Sequence, residues 1–110
     1  MNVSAAVETV FAGNSDVVVI EASGSCHEAL SRIRASAARF ALVIVGQEIS
    51  PVDRAMILAS VGPLAVELGP DRRIGALDIG AGARQADILE TARFLVGAES
   101  TTGQVLAASA

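Results

Sequence analysis

The chain has 110 residues, of which 52% are hydrophobic and 3% aromatic, and 12 acidic against 8 basic residues give a net charge of -4. This balance excludes the basic face that nucleic-acid binding requires. The longest apolar run is also far shorter than the roughly 20 residues that a membrane-spanning helix needs.

Cys26 is the single cysteine, so the chain has no internal disulfide framework and fits a reducing compartment. The N-terminus lacks the basic region followed by an apolar run that marks a signal peptide. We therefore expect one cytoplasmic domain over residues 1–110, with neither nucleic acid nor a membrane as its partner.

The first predicted element is an amphipathic helix over residues 3–12, ended by Gly13. Residues 17–20 form a β-branched run without alternation, which is typical of a parallel strand covered on both faces. Ser25 with Glu28 three residues later forms a capping box, which predicts the start of the second helix.

The second helix is predicted to extend to residue 38, and the apolar run 40–45 is predicted as the second buried strand. Pro51 suits the first turn of the third helix, over residues 51–68. This helix is apolar nearly all round, so it must be covered on more than one side. Gly62-Pro63 interrupts it, and we expect a kink or break there because proline removes a helical hydrogen bond.

Residues 74–79 predict a third strand, weakened by Gly75, and the glycine-rich residues 80–83 predict a loop. A fourth helix over 86–96 and a short strand over 104–107 follow. The order αβαβαβαβ indicates crossover connections and a parallel sheet, hence an α/β three-layer fold of about four strands.

Three segments in the second half resemble the short-chain dehydrogenase/reductase (SDR) family. Leu-Ala-Val-Glu-Leu at residues 64–68 resembles the family's Leu-Ala-x-Glu-Leu, and residues 73–80 resemble its Arg-Val-Asn-x-Ile-x-Pro-Gly strand and turn. Residues 102–106 resemble its Thr-Gly-Gln closing strand, and residues 16–24 its Asp-x-Leu-Val-Asn-Asn-Ala-Gly strand. The resemblance implies a truncated Rossmann-like fold, the C-terminal half of a family member without the dinucleotide-binding half.

The departures from the family concern its chemistry. Counted back from Glu67, the family's Tyr-x-x-x-Lys pair falls on Ser50 and Arg54, and the chain has no tyrosine. A serine hydroxyl is too weak an acid to replace the tyrosine, and arginine stays charged. The glycine-rich first turn is absent, and only a few residues around Arg84 replace the substrate loop. We therefore expect no catalytic residue, no cofactor and no metal in this chain.

Other motifs offer weaker hypotheses. Gly80-Ala81-Gly82 sits between a strand and a helix as a phosphate-binding loop would, but Gln85 takes the place of the third glycine. Cys26-His27-Glu28 at a helix start resembles a reactive-thiol setting without a suitably placed base. Glu48, Asp53 and Arg54 near the third helix are interpreted as solvated capping residues.

The resemblance implies two subunit interfaces. The second and third helices would form a four-helix contact, and the last helix and strand would form another. The predicted interface residues are Ile33, Met56, Ile57, Val61, Leu64, Leu68, Phe94 and Val105.

The leading hypothesis is a non-catalytic subunit, a pseudoenzyme that assembles with a full-length, active short-chain dehydrogenase in a hetero-oligomer. Hydroxyacyl-CoA-type dehydrogenases supply the family precedent, and NAD(P) is expected in the partner subunit. The alternative is a free-standing homo-oligomer that binds a small acidic molecule or nucleotide near Ser23, Gln47 and Gly80. Residual enzyme activity and a remnant without function are further possibilities.

Overall fold

The computed structural model describes residues 3–98 and 102–108. Four helices alternate with four strands, so the predicted αβαβαβαβ order is confirmed. In chain order the elements are α1 (Val3–Val10), β1 (Val17–Glu21), α2 (Cys26–Ala35), β2 (Phe40–Val45), α3 (Pro51–Leu68), β3 (Arg73–Ile79), α4 (Gln85–Gly97) and β4 (Gln104–Ala108).

The four strands form one parallel sheet in the order β1-β2-β3-β4. Residue partners in register are Val17 with Phe40, Ala41 with Ile74, and Ala76 with Val105. All six residues of β2 are buried, because helices cover this strand on both sides. This explains why β2 reads as a continuous apolar run rather than as an alternating one.

Two apolar cores lie on opposite faces of the sheet and make the fold a three-layer α/β structure. One core joins α2 and α3 to alternate sheet residues such as Ala41 and Val43. The other joins α1 and α4 to the intervening residues Leu42 and Ile44. The period-2 direction of strand side chains therefore supplies both cores from the same six-residue strand.

The crossover between β3 and β4 has the opposite hand to the other two. Helices α2 and α3 lie on one face, whereas α4 lies on the other, although the sheet extends in one direction throughout. Since parallel crossovers are right-handed in about 98% of cases, we assign the first two as right-handed and β3–α4–β4 as left-handed. The sequence carried no signal for this reversal.

Local signals predict where α2 and α3 begin, but not where α2 ends or that α3 continues through Pro63. The Ser25 hydroxyl accepts a hydrogen bond from the Glu28 amide at 3.2 Å, so the predicted N-cap is confirmed. Helix α2 ends at Ala35, earlier than the predicted residue 38. Helix α3 starts at Pro51 and continues through Pro63 to Leu68, so no break occurs at Gly62-Pro63.

Gly75 does not mark a weak strand. It lies in the buried part of β3, where a methyl group would come within 3.0 Å of Phe40 Cζ and 3.4 Å of a Leu95 methyl group. The glycine is required because two large side chains pack directly against the backbone of β3.

Within residues 3–98 and 102–108, no helix is long and apolar enough to cross a membrane.

We expect Gly75→Ala to lower the free energy of unfolding by about 1–3 kcal/mol, because the added methyl overpacks the core against Phe40. Gly97→Ala is the matched control, since nothing lies within 4 Å of its added methyl. It should leave stability unchanged or raise it by up to about 1 kcal/mol. Urea denaturation followed by circular dichroism measures both variants, and equal effects would refute the packing explanation.

Candidate functional site

Arg54, predicted to take the family's lysine position, joins the carboxyl ends of two neighbouring strands. Its side chain is 19% exposed and forms an ion pair with Asp78 of β3. It also donates to the Gly46 carbonyl after β2 and, at 3.0 Å, to the Ile79 carbonyl at the end of β3. Ligands of open α/β sheets bind at this edge. Here the N–H groups of the Arg54 guanidinium already bind Asp78 and two carbonyls.

Ser50, predicted to take the family's tyrosine position, caps helix α3. Its hydroxyl donates to Asp53 Oδ2 at 2.9 Å and accepts from the Asp53 amide at 3.2 Å. Asp53 Oδ1 accepts from the amide of Cys26 at 3.0 Å. One carboxylate therefore ties the start of α3 to the start of α2, and the serine hydroxyl is held as a structural donor.

These contacts correct the interpretation of Arg54 as a solvated capping residue. Asp53 does act in capping, but Arg54 is largely buried and pairs with Asp78 rather than with a neighbour on its own helix. Sequence reasoning missed Asp78 because it follows Arg54 by 24 residues. Only the parallel register of β2 and β3 brings the two together.

The three residues expected to bind a small ligand are not brought to one site. A cleft of about 330 Å³ at the carboxyl edge is lined by Gln47 together with the acids Glu21 and Glu48. Ser23 and Gly80 are not part of its lining. Gln47 donates its amide to the Ile79 carbonyl at 2.6 Å, and the two carboxylates oppose an acidic ligand. The expected preference for acidic ligands finds no support in this cleft.

The Gly80–Ala83 loop has a structural explanation. The Ala83 amide donates to the Gly80 carbonyl at 3.3 Å, and Gly82 has φ +77°. Such a turn requires glycine because a side chain is strained at positive φ. Helix α4 then begins at Gln85, and its N-cap Arg84 makes no side-chain capping bond.

Cys26 is not accessible for reaction. It is 4% exposed and packs into the core between α2, α3 and the sheet. His27, the next residue, is exposed. The two side chains therefore point to different surroundings, and a shared catalytic role is not supported. Among the described residues, no group of three or more histidine, cysteine or acidic side chains could hold a metal ion.

Four predicted interface residues belong to the chain's own core, which corrects their assignment. Ile33, Ile57 and Val61 are 1% exposed and Leu64 is 3% exposed, so they have no surface to offer another subunit. Leu68 is partly buried against the same core. Met56, Phe94 and Val105 are exposed, at 52%, 65% and 38%, and the interface prediction stays with these three.

The outward face of α3 carries exposed apolar residues that the sequence pattern did not assign to an interface. Nine residues of α3 are exposed, and only Glu67 among them is charged. Val52 is 69% and Val66 83% exposed. The available signal was the 3-4-3-4 spacing of Val52, Ala55, Ala59, Gly62 and Val66, which places them on one helical stripe.

A groove between α2 and α3 adjoins this face. It has a volume of about 340 Å³ and is lined chiefly by apolar side chains, including Leu30, Met56 and Pro63. Arg34 and Glu67 bridge its rim through two hydrogen bonds of 2.7 and 3.0 Å. Because the charges of Arg34 and Glu67 cancel, the rim of the groove carries no net charge.

A cavity of about 570 Å³ lies at the opposite, amino edge of the sheet. Arg73 lines it, donates to the Ala98 carbonyl at 2.9 Å and lies 4.7 Å above the Phe40 ring. This edge is not where parallel α/β sheets bind ligands. Its size therefore does not make it the functional site.

Comparison with known proteins identifies one family. The model described as SDR-like, short chain dehydrogenase-like protein, matches residues 17–108. No curated protein and no solved structure gives a significant match.

Replacing Arg54 tests its contacts at the strand ends. We expect Arg54→Met to lower the free energy of unfolding by about 1–3 kcal/mol, because Asp78 and two carbonyls lose their donor. Arg54→Lys should recover only part of this loss, since a point ammonium cannot span three acceptors. Arg93→Met, on the exposed side of α4, controls for loss of one arginine. Equal stability of all variants in urea denaturation would contradict the arrangement.

Asp53 predicts a defined pH dependence. Hydrogen bonds from the Cys26 amide and then from the Ser50 hydroxyl hold the pKa of this carboxyl below its ordinary value. The Asp53 carboxylate therefore contributes fully to folding stability above the unfolded pKa of about 3.9. This contribution is lost as pH falls through the lower folded pKa. The stability difference between wild type and Asp53→Asn should stay constant from about pH 7 to pH 5 and shrink below about pH 4. Urea midpoints across this pH range measure the stability difference. Glu8→Gln, on the exposed side of α1, is the charge control.

Proposed function

Because this chain belongs to the SDR-like family of short chain dehydrogenase-like proteins, we propose that it is a non-catalytic subunit that assembles with an active short-chain dehydrogenase. It stabilises that enzyme or completes the wall of its substrate pocket. The partner binds NAD(P) and carries the catalytic residues, with a hydroxyacyl-CoA-type dehydrogenase as one candidate. In this proposal the chain corresponds to the C-terminal half of a full-length family member.

The outward face of α3 is the observation that carries the proposal. An exposed helix face normally carries polar and charged side chains. Here eight of the nine exposed residues are apolar or glycine, with Glu67 as the exception. Contiguous exposed apolar surface of this kind marks a protein contact. A subunit uses such a face, whereas a monomeric protein gains nothing from exposing it.

The absence of a proton relay is supported by the roles that Ser50 and Arg54 already have. The Ser50 hydroxyl donates within the α3 cap, and Arg54 is held by Asp78 and two carbonyls. Neither group is free to donate a proton to a substrate or to orient a ribose. Glu21 and Glu48 in the adjacent cleft would also repel a pyrophosphate.

A second exposed surface supports assembly. Phe94 of α4 is exposed and lines a cleft of about 380 Å³ between α4 and β4, together with Leu106 and the acids Asp87 and Glu90. Val105 of β4 is also exposed but does not line this cleft. An exposed aromatic side chain beside a cleft is typical of an interface anchor. The chain thus offers contact surfaces on both faces of the sheet.

The second candidate is a small-molecule binding module, favoured by the cleft of about 330 Å³ at the carboxyl edge. Its two carboxylates favour a cationic or neutral ligand over a nucleotide. Isothermal calorimetry with NADH, NADPH and ATP, and with an alkylamine as cationic probe, distinguishes the candidates. Binding of any of them to the pure chain favours the module.

The heteromer is tested by co-expressing the tagged chain with each full-length short-chain dehydrogenase encoded in the same genome. We expect one of them to copurify at fixed stoichiometry and to show a higher melting temperature or activity than it does alone. Met56→Glu should abolish this copurification, and Arg93→Glu on α4 is the control. The pure chain should show no turnover with NADH or NADPH. If every dehydrogenase elutes separately with unchanged stability and activity, the proposal fails.

A further inference from the structure

We propose that the cleft at the carboxyl edge of the sheet binds a primary ammonium group carried on a short apolar stem. Its acceptors are the carboxylates of Glu21 and Glu48 and the hydroxyl of Ser4, which all line the cleft. The inference rests on the second candidate function, ligand binding at this edge, and names the class of ligand. It does not depend on a dehydrogenase partner, because no described residue that lines the cleft belongs to α3.

Three parts of the fold build the cleft. Helix α1 supplies Ser4, the end of β1 supplies Glu21, and the loop after β2 supplies Glu48. Val19, two residues before Glu21, packs in the core with α1 and α4, so Glu21 lies on the same face of the sheet. Ile44, the register partner of Glu21 on β2, lines the cleft beside it. The cleft therefore lies on the α1 face of the sheet, opposite α2 and α3.

Ser4 is the one buried polar residue among those that the structure describes, with 6% of its surface exposed. Thr9 of the same helix donates its hydroxyl to the Ala5 carbonyl at 2.9 Å, one turn earlier. Ser4 lies in the first turn, before which the helix offers no carbonyl. No described group hydrogen-bonds the Ser4 hydroxyl, yet no fully buried side-chain oxygen in the described ranges lacks a partner. The hydroxyl is therefore open to the cleft, where an N–H group of a ligand can reach it.

The two carboxylates of the cleft are unpaired. Neither Glu21 nor Glu48 forms an ion pair or a side-chain hydrogen bond with another described residue. The Glu48 carboxylate lies against the backbone of Gly46, where an added methyl would come within 2.8 Å of Oε1. Glycine at position 46 thus allows this carboxylate to lie over the end of β2. Two unpaired carboxylates that line one cleft favour a bound cation.

The other charges near the cleft do not cancel these carboxylates. The start of α1 contributes about half an elementary positive charge, which two carboxylates outweigh. The Arg54 guanidinium, which binds the Gly46 and Ile79 carbonyls, is paired with Asp78. Gln47 donates its amide to the Ile79 carbonyl at 2.6 Å, so its side-chain oxygen is left as a further acceptor. The cleft is therefore rich in acceptors and negatively charged.

A primary ammonium group matches this set of acceptors. It has three N–H donors and no acceptor, and the Ser4 hydroxyl and the two carboxylates supply three partners. Val3, Ile44 and Ile79 add apolar surface for a stem. A metal ion fits less well, because no group of three or more histidine, cysteine or acidic side chains in the described ranges could hold one.

Nuclear magnetic resonance titration of the isotope-labelled pure chain with n-butylamine tests the inference. At about pH 7 this amine is protonated, as the lysine side chain is. We expect saturable shifts of the amide signals of Ser4, Glu21 and Gly46. Butanol, which has the same stem without the charge, should leave these signals in place.

Three variants test the acceptors. Glu21→Gln and Glu48→Gln should each weaken butylammonium binding about ten-fold or more, because each removes a hydrogen bond to a charged group. Ser4→Ala should weaken it about three-fold or more for the same reason. Glu90→Gln, exposed on α4 and outside this cleft, removes the same charge and should leave the affinity unchanged. Unchanged amide signals away from the cleft show that each variant is folded.

Trimethylbutylammonium distinguishes N–H recognition from attraction by charge alone, because it carries the charge without an N–H donor. It should bind about ten-fold more weakly than butylammonium. Equal binding of the two overturns the inference, as does the absence of saturable shifts up to about 10 mM amine. Tighter binding of Mg²⁺ or Ca²⁺ at the same residues also overturns it. The heteromer is measured separately by copurification, so either proposal can fail while the other stands.

Discussion

Burial of β2 and β3 on both faces is the constraint from which the rest of the architecture follows. All of β2 and most of β3 are inaccessible to solvent, so each strand must supply two cores in alternation. Helices are needed on both faces to cover them. The left-handed β3–α4–β4 connection meets this need, because a right-handed one would place α4 beside α3 and leave Leu42, Ile44 and Leu77 covered by α1 alone.

Arginines stabilise both edges of the sheet. At the carboxyl edge Arg54 joins the ends of β2 and β3. At the amino edge Arg72 donates to the Ile33 and Ala38 carbonyls at the end of α2, and Arg73 donates to carbonyls at the end of α4. A guanidinium can bond several carbonyls at once, which an ammonium cannot do as rigidly. Arg54 thus has the same architectural role as Arg72 and Arg73.

The sequence predicted the elements of this fold better than it predicted their surfaces. The apolar run of β2 and the Ser25 cap carry local signals, and both were located correctly. Ile57 and Val61 were assigned to a subunit interface, although they face the core. A helix that is apolar all round does not reveal which face points inward. The ion pair between Arg54 and Asp78 could not be predicted either, because the strand register brings Asp78 close to Arg54.

Helix α3 divides its residues between contacts inside the chain and an exposed apolar face. Its first turn, with Ser50, Asp53 and Arg54, is engaged in contacts inside the chain. Its inner face contributes Ile57 and Val61 to the core. The outer face of α3 is apolar but makes no contact with the core of the described chain. A monomeric ligand-binding protein has no use for such a face, and its exposure favours aggregation. A subunit requires it, because the same residues become buried on assembly. The physical cost of leaving Val52 and Val66 in water therefore favours association over solitary ligand binding as the role of this chain.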